Sequence, residues 1–599
     1  VTSRADLPFA RIILEDFEFV ALPGERPDVV CMVFHDLDTR QTTRLWRDQL
    51  GDQPPYKLDD DTLVVCFVAN AEIACHLALG WPVPRNILDL SPEFKCQVNG
   101  KGIPRKNQGL IGGLQYFGLS SIAPKRKDAM RDRILKGWPF SPGESDEILH
   151  YCAEDVEALR GLLFKLLANI DLPIALHRGE AVAALARSQH VGVPIDMEIF
   201  AQLANQKTWR ELRDSMVLVV DKNGIYVQDK RGEWHWNNQR FEQWTAAERI
   251  AWPRHAESGK FDLRRKTFEG MGAAYPQIEP LRQLRYIRDK LRVIKLSVGR
   301  DGRNRTVLWP LSSKTSRTQP KAREWIFSPS VWLRFLIKPE PGRALAYIDY
   351  ASMEFGAAAA LSGDKLMWEL YRSGDPYLNF GKLIGLIAPD ATRETPGVAV
   401  IRERLKFTCL STQYCVQAAT LATRLGVSEL EAHEMLQHHR GLFTQYWRWS
   451  EDWLHHALDS GEMRTVFDWR CATGITEFSE RSIRNWPIQS NCADLFRLAC
   501  VWGTRHRFTL IAPVHDAVLL ESPEDRIEAD VALMREIMRR ASRVILNPTA
   551  GGTIELRTDV KIIRYPGRYT DSRGVELWET VLRLLAERRQ RQQTRSEIA

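Results

Sequence analysis

Apolar residues follow two rhythms along this chain. ARIILEDFEFVAL and DVVCMVFHDL are strand-length runs rich in β-branched and aromatic residues, and TLVVCFVANAEIACHLALG passes from a continuous apolar run into helical spacing. A Gly/Lys/Pro-rich loop near 99–113 follows, and a helix is expected from about Asp146 to Ala168. This order predicts an α/β domain ending near Leu172-Pro173. Beyond it, HRGEAVAALARSQHVG reads as an amphipathic helix, a polar Trp-rich stretch covers 221–260, and strand text resumes near Leu333. Helical spacing dominates from about 364 to 460 before TLIAPVHDAVLLES and IELRTDVKII return to strand rhythm, the first as a hairpin or strand bend. The tail, RLLAERRQRQQTRSEIA, reads as a basic helix.

Composition narrows the class. A chain of 599 residues has material for several cores, and 44% apolar with 27% charged residues is a globular balance. There is no apolar run of membrane-spanning length and no charged-then-apolar secretory start, which argues against membrane insertion and export. Ten Cys without a CxxC pair or Cys/His ligand spacing fit reduced thiols in a cytoplasmic setting and give no indication of structural zinc. Net charge is +7, yet residues 282–305 alone hold nine Arg/Lys against two Asp. That excess points to a polyanion partner or, more simply, to a solvated helix face.

The chemistry is carried by acids in apolar surroundings. Asp516 lies in APVHDAVLLES, where burying a carboxylate is costly unless it is paired, hydrogen-bonded or metal-bound. PGRALAYIDYASMEFGAAAALSGD offers a partner: Asp349 at the end of a buried strand, with Glu354 where a small-residue helix begins. Two carboxylates delivered on strands suit a two-metal phosphoryl-transfer centre, with ions about 3.5–4 Å apart; two unrelated turn or cap residues are the plainer alternative. Between them, Arg402, Lys406, Leu410 and Tyr414 recur every four residues on one helical stripe. Two cations, an apolar side chain and an aromatic ring, in that order, match a nucleoside triphosphate, although the same spacing suits a surface helix with Leu and Tyr turned to the core.

These blocks, in this order, resemble motifs A, B and C of family A DNA polymerases: Asp349-Tyr350-Ala351-Ser352-Met353-Glu354, the Arg402/Lys406/Leu410/Tyr414 stripe, and Val514-His515-Asp516-Ala517. Thr315-Ser316-Arg317 and the run from Arg481 through Asn485 to Gln489 are similar to two further family segments, so the resemblance spans about 177 to 560. It implies a multidomain α/β plus α fold, in which an RNase H-like 3′–5′ exonuclease domain (1–172) precedes a right-hand polymerase. Thumb and connecting region would cover 173–332, palm 333–364 and 465–599, and fingers 365–464. Asp349 and Asp516 would hold two Mg²⁺ ions. Arg402, Lys406, Leu410, Tyr414 and Tyr350 would line the dNTP site, with Lys406 also a proton donor to pyrophosphate and Glu354 against the sugar 2′ position. Arg317, Arg481, Asn485, Gln489 and His515 would contact primer–template DNA in the minor groove, and residues 282–305 would follow its phosphates. The implied protein is a monomer that acts without a membrane.

The N-terminal domain carries its own acids. Asp16 and Glu18 are spaced i,i+2 on a strand, and Tyr151 and Asp155 are spaced i,i+4 on a helix. Either pair alone reads as exposed charges at strand and helix ends, but ahead of a polymerase-like region the two together resemble the pattern of a 3′–5′ exonuclease that uses Mg²⁺ or Mn²⁺, with Tyr151 orienting water. Glu72 stands where the family has Asp, one methylene longer. Four other departures mark the polymerase motifs: Leu410 replaces an aromatic residue, Cys415 a Gly, Ala351-Ser352 a Ser-Gln pair, and Ala517 a third acid. The resemblance is to the large-fragment portion of the family. An exonuclease with a degenerate polymerase half, or a non-catalytic primer–template-binding replication protein, are the alternative readings.

Overall fold

The computed structural model describes residues 4–120, 124–255, 258–290, 295–328, 331–474, 479–550 and 554–598. The chain forms two compact units: residues 1–193, 305–321 and 342–564 make the first, and residues 194–304, 322–341 and 565–599 the second. Residues 565–599, expected with the palm, therefore group with the second unit.

The first unit opens on a five-stranded mixed sheet in the order Gln41–Trp46, Asp28–Asp36, Arg11–Val20, Thr62–Cys66, Asn86–Asp89. Arg11–Val20 runs antiparallel to Asp28–Asp36 and parallel to Thr62–Cys66. Thr62–Cys66 is buried throughout, as a parallel strand covered on both faces must be. Strand alternation sends Ile12 and Leu14 into a core with Tyr151, Val156 and Leu159 of the helix Pro142–Leu166. Ile13 and Phe17 point the other way, to Cys75 and Trp81. That long helix starts where the chemistry favours a start: Ser141 and Glu144 form a capping box and Pro142 occupies the first turn.

Its second sheet is four-stranded and antiparallel, in the order Thr509–Val514, Ala517–Pro523, Arg343–Tyr350, Thr558–Arg564. The strand text expected from near Leu333 begins at Arg343, because Val331–Leu336 winds into a short 3-10 helix. Ala344, Ala346, Ile348 and Tyr350 face a large core shared with the helices Met353–Ser362, Glu480–Arg505 and Ile527–Ala550. Asp349, one residue out of phase, lies on the opposite face. Six helices, from Lys365–Arg372 to Thr444–Ser460, fill the interval expected to be helical.

The second unit answers the Trp-rich stretch. Tyr226–Gln228 pairs with Trp234–Trp236, and Trp236, Trp244, Phe241, Trp252 and Phe268 close a small aromatic core. Arg285 lies 4.6 Å from the Trp236 ring and 4.3 Å from that of Phe268. Arg288 is buried and donates to the carbonyls of Arg213 and Trp234. Arg282 pairs with Glu279, and Arg303 with Glu340. Several of the basic residues in 282–305, expected to follow DNA phosphates, thus also hold this unit together. Within that segment, residues 291–294 lie outside the described residues, and Arg305, in the first unit, donates to the carbonyls of His190, Gly24 and Val191.

Candidate active sites

A two-residue turn, His515-Asp516, joins the strands that carry Val514 and Ala517. His515 has φ +58°, a left-handed conformation that tight hairpins require and that His tolerates better than most residues. The turn brings Asp516 to Asp349: the Tyr350 amide donates to the Asp516 carbonyl at 3.3 Å, and Asp349 pairs in register with Ala517. Burial and repulsion from Asp516 push the Asp349 carboxyl up to about 8. Burial also raises Asp516. Asp349 Oδ1 is buried with no hydrogen-bond partner. A carboxyl pair held together with an oxygen unsatisfied fits a divalent cation, which would supply the missing partner.

Two further groups act on this pair. Lys406, exposed on the helix Val398–Gln413, lowers the Asp349 pKa by its charge. Asp559 raises it from the neighbouring strand, where it is the cross-strand partner of Asp349. Sequence reading missed Asp559, although an acid inside the strand text of IELRTDVKII was the available signal. Ala517 and Asp559 therefore flank Asp349 on one face of the sheet.

Of the helical stripe, Arg402, Lys406 and Leu410 lie within the helix, while Tyr414 caps its C-terminus ahead of Cys415 at φ +51°. Arg402 is already engaged: its Nε lies 2.6 Å from Asp375, it pairs with Glu403, and it lies 5.5 Å from the Tyr377 ring. Burial works against ionisation of Asp375, but Arg402 and Arg393 hold its carboxyl below the usual range. Asp375, which sequence reading missed, caps the helix Pro376–Leu383.

Glu354 sits at the centre of a network. Arg317 Nη2 donates to one of its oxygens at 2.8 Å and the Tyr414 hydroxyl to the other at 2.5 Å, while Gln489 Nε2 donates to Tyr414 at 2.8 Å. Burial and the Glu354 charge push the Tyr414 phenol up to about 12, and Asn485 reaches the same hydroxyl. The structure thus brings Arg317, Glu354, Tyr414, Asn485 and Gln489 together. Arg481 and His515 are exposed. Tyr350 is a correction: its ring is 1% exposed and its hydroxyl donates to the Met538 carbonyl at 2.7 Å, so the side chain belongs to the core and does not line a nucleotide site.

The loop bearing Arg317 is firmly held. The Lys314 carbonyl accepts from Asn99 Nδ2 at 2.9 Å, Trp469 Nε1 at 3.1 Å and Trp486 Nε1 at 3.0 Å. Asn99 Nδ2 also reaches the Arg470 carbonyl at 2.8 Å, and a Cβ at Gly100 would meet the Ala472 carbonyl at 2.1 Å.

In the N-terminal domain, Asp16, Glu18 and Asp155 offer carboxylate oxygens all within 4.8 Å of one another. Burial and the charge of Asp155 push Asp16 up to about 7; burial and Asp16 raise Glu18 well above the usual range. Asp155 Oδ1 is buried without a partner, again the mark of a site that fits a cation. Tyr151, on the same helix face, is buried beside Asp155. Glu72 is also buried, and burial and the charge of Asp16 raise its carboxyl, but its Oε2 accepts from the Phe17 amide at 3.0 Å and it stands outside the group of three. Lys127, which sequence reading missed, places its ammonium 2.7 Å from Asp155.

Comparisons with known proteins bear on the family and the fold. Residues 328–564 match the model of DNA polymerase family A. The thermostable DNA polymerase I of Thermus filiformis is 28% identical over 218 residues, which is 34% of this chain and 25% of the relative. DNA polymerase I of Chloroflexus aurantiacus is 27% identical over 225 residues, 35% of this chain and 23% of the relative. The chain thus matches about a quarter of the length of these relatives. The POL domain of Pol1 from M. smegmatis, solved in complex with DNA primer–template and dNTP, shares the fold with a TM-score of 0.65 at 18% identity, covering 94% of this chain and 96% of that one.

Proposed function

Through residues 328–564 the chain belongs to DNA polymerase family A, and on that premise we propose that it extends a primer 3′ end with dNTPs on a DNA template. The observation that carries the reading is the Asp349–Asp516 pair, in which burial raises both carboxyls and the charge of Asp516 raises Asp349 further, and which is left with an unsatisfied buried oxygen. These two residues would hold Mg²⁺, which when bound stabilises charge on the attacking and leaving oxygens. Lys406 would steady the triphosphate near Asp349, with Arg402 joining once it exchanges Asp375 for a phosphate. Glu354, fixed by Arg317 and Tyr414, would crowd a ribose 2′-hydroxyl and leave it without a good partner, favouring deoxyribonucleotides. Arg317, Arg481, Asn485, Gln489 and His515 would hold the duplex. Leu410 would give the nucleotide an apolar face.

We propose a second activity, 3′–5′ exonucleolytic removal of the primer terminus, for the N-terminal domain, on the ground that Asp16, Glu18 and Asp155 gather their carboxylates within 4.8 Å. Asp16, Glu18 and Asp155 would hold Mg²⁺ or Mn²⁺, Glu72 would support them from the Phe17 amide, and Tyr151 would orient water. Primer extension and single-strand digestion by the parent, Asp516→Ala and Asp16→Ala separate the activities. The expected result is extension lost only in the first variant and digestion lost only in the second. No extension by the parent would overturn the polymerase assignment, and digestion surviving Asp16→Ala would overturn the exonuclease assignment.

A further inference from the structure

A cavity of about 370 Å³ in the first unit lies between the N-terminal domain and the loop 312–317. Its lining includes Lys95, Arg105 and Lys314 and, among the described residues, no carboxylate. Arg105 is oriented by its donations to the Ser312 carbonyl and, at 3.3 Å, to Gln319 Oε1. Ser312 lines the cavity, and its hydroxyl oxygen is buried with no hydrogen-bond partner. Burial lowers the Lys95 pKa and Arg105 lowers it further, with only partial relief from Asp89. Asp89 itself is occupied by the amides of Val68, Ala69 and Ser91.

Lys95 is half-buried while Arg105 and Lys314 are exposed, and cations gathered on one cavity wall without a carboxylate repel one another until an anion joins them. The walls are also prevented from collapsing. The Lys314 carbonyl takes three donors, and Gly100 packs against Ala472 so closely that no larger residue fits. We propose that this cavity is a phosphoryl-binding site, in which Lys95 and Arg105 clamp a phosphate while the Ser312 hydroxyl donates to one of its oxygens. The same loop carries Arg317, whose amide donates to Ser313 Oγ at 2.9 Å and whose side chain holds Glu354. A phosphodiester of a single strand beside the primer–template is therefore its natural occupant. That choice of source rests on the polymerase reading, whereas phosphate recognition does not.

Hydrogen exchange on the full chain tests the site, with inorganic phosphate, dTMP and a short oligo(dT) as probes and primer extension run in parallel. Exchange should slow in peptides covering 98–108 and 312–316. The protection should vanish in Lys95→Gln and persist in Lys95→Arg, while both variants keep the parent melting temperature and extension rate. Protection by all three probes supports a general phosphate site; protection by oligo(dT) alone supports a strand phosphodiester. In the latter case the log-affinity against log-salt slope for oligo(dT) should flatten by about 0.7 in Lys95→Gln. No protection by any probe, or equal protection in Lys95→Gln, overturns the proposal even where extension is intact. Protection without extension would leave the site standing and remove the polymerase reading.

Discussion

Tyr414→Phe removes one oxygen atom from the network around Glu354 and leaves the ring in place. The lost hydroxyl donates to the Glu354 carboxylate at 2.5 Å and accepts from Gln489 at 2.8 Å. A hydrogen bond to a charged group is worth about 1.5–3 kcal/mol. Arg317 remains on the other carboxylate oxygen at 2.8 Å, so Glu354 loses one of its two anchors. If Glu354 guards the sugar 2′ position, loosening it should lower discrimination against ribonucleotides by at most the value of the lost bond. That is roughly 10-fold to 100-fold in the ratio of kcat/KM for a dNTP and its ribonucleotide counterpart. Glu354→Ala should lower the ratio further, and the double variant should lose no more than Glu354→Ala alone, because both changes act through one carboxylate. Single-nucleotide incorporation kinetics with matched dCTP and CTP measure this directly. Discrimination unchanged in Tyr414→Phe but collapsed in Glu354→Ala would show that Tyr414 does not position the carboxylate.

Further predictions concern the acids and the held loop. Asp349 and Asp16 rise to about 8 and about 7 from an ordinary 3.8, so between about pH 4 and 8 the metal-free fold retains protons that the unfolded chain releases, and stability falls as pH rises through that window. Mg²⁺ should therefore raise the melting temperature more at about pH 8.5 than at about pH 5.5; equal shifts would contradict the assignment. Asn99→Leu removes two donations, to the Lys314 and Arg470 carbonyls, at about 1 kcal/mol each, so amide exchange across 314–317 should accelerate by roughly 30-fold. Exchange within twofold of the parent would show that the other two donors suffice. Lys127→Met removes the ammonium 2.7 Å from Asp155. It should tighten Mn²⁺ binding measured calorimetrically at the N-terminal acids, by about tenfold if the two cations compete there; weaker binding would show that Lys127 assists the site.

Much of this was legible in the chain itself, for a stated reason. Asp516 and Asp349 stood out because a carboxylate inside period-two apolar text has few inexpensive fates, and the hairpin at 515–516 follows from the same alternation. Asp16, Glu18, Tyr151 and Asp155 were legible because fixed offsets on a strand and a helix place side chains on one face. Asp375 and Lys127 were not, because each acts on a residue brought beside it only by the fold; Asp559 offered its place in strand text, but its pairing with Asp349 is set by the fold. Alternation also contained the answer for Tyr350, since a residue adjacent to Asp349 on a strand must face the opposite side. The basic run 282–305 was legible only in part, because charge counts ignore stacking: Arg285 and Arg288 are used on aromatic rings and carbonyls inside the second unit.

The central claim is that Asp349 and Asp516 together hold the metal ions for nucleotide addition. Single-turnover incorporation of one dNTP by Asp349→Asn and Asp516→Asn, on primer–template that each variant binds as tightly as the parent, tests it most directly. Each substitution should slow incorporation by at least about a thousandfold, near 4 kcal/mol of transition-state stabilisation. Incorporation within tenfold of the parent in either variant would contradict the account.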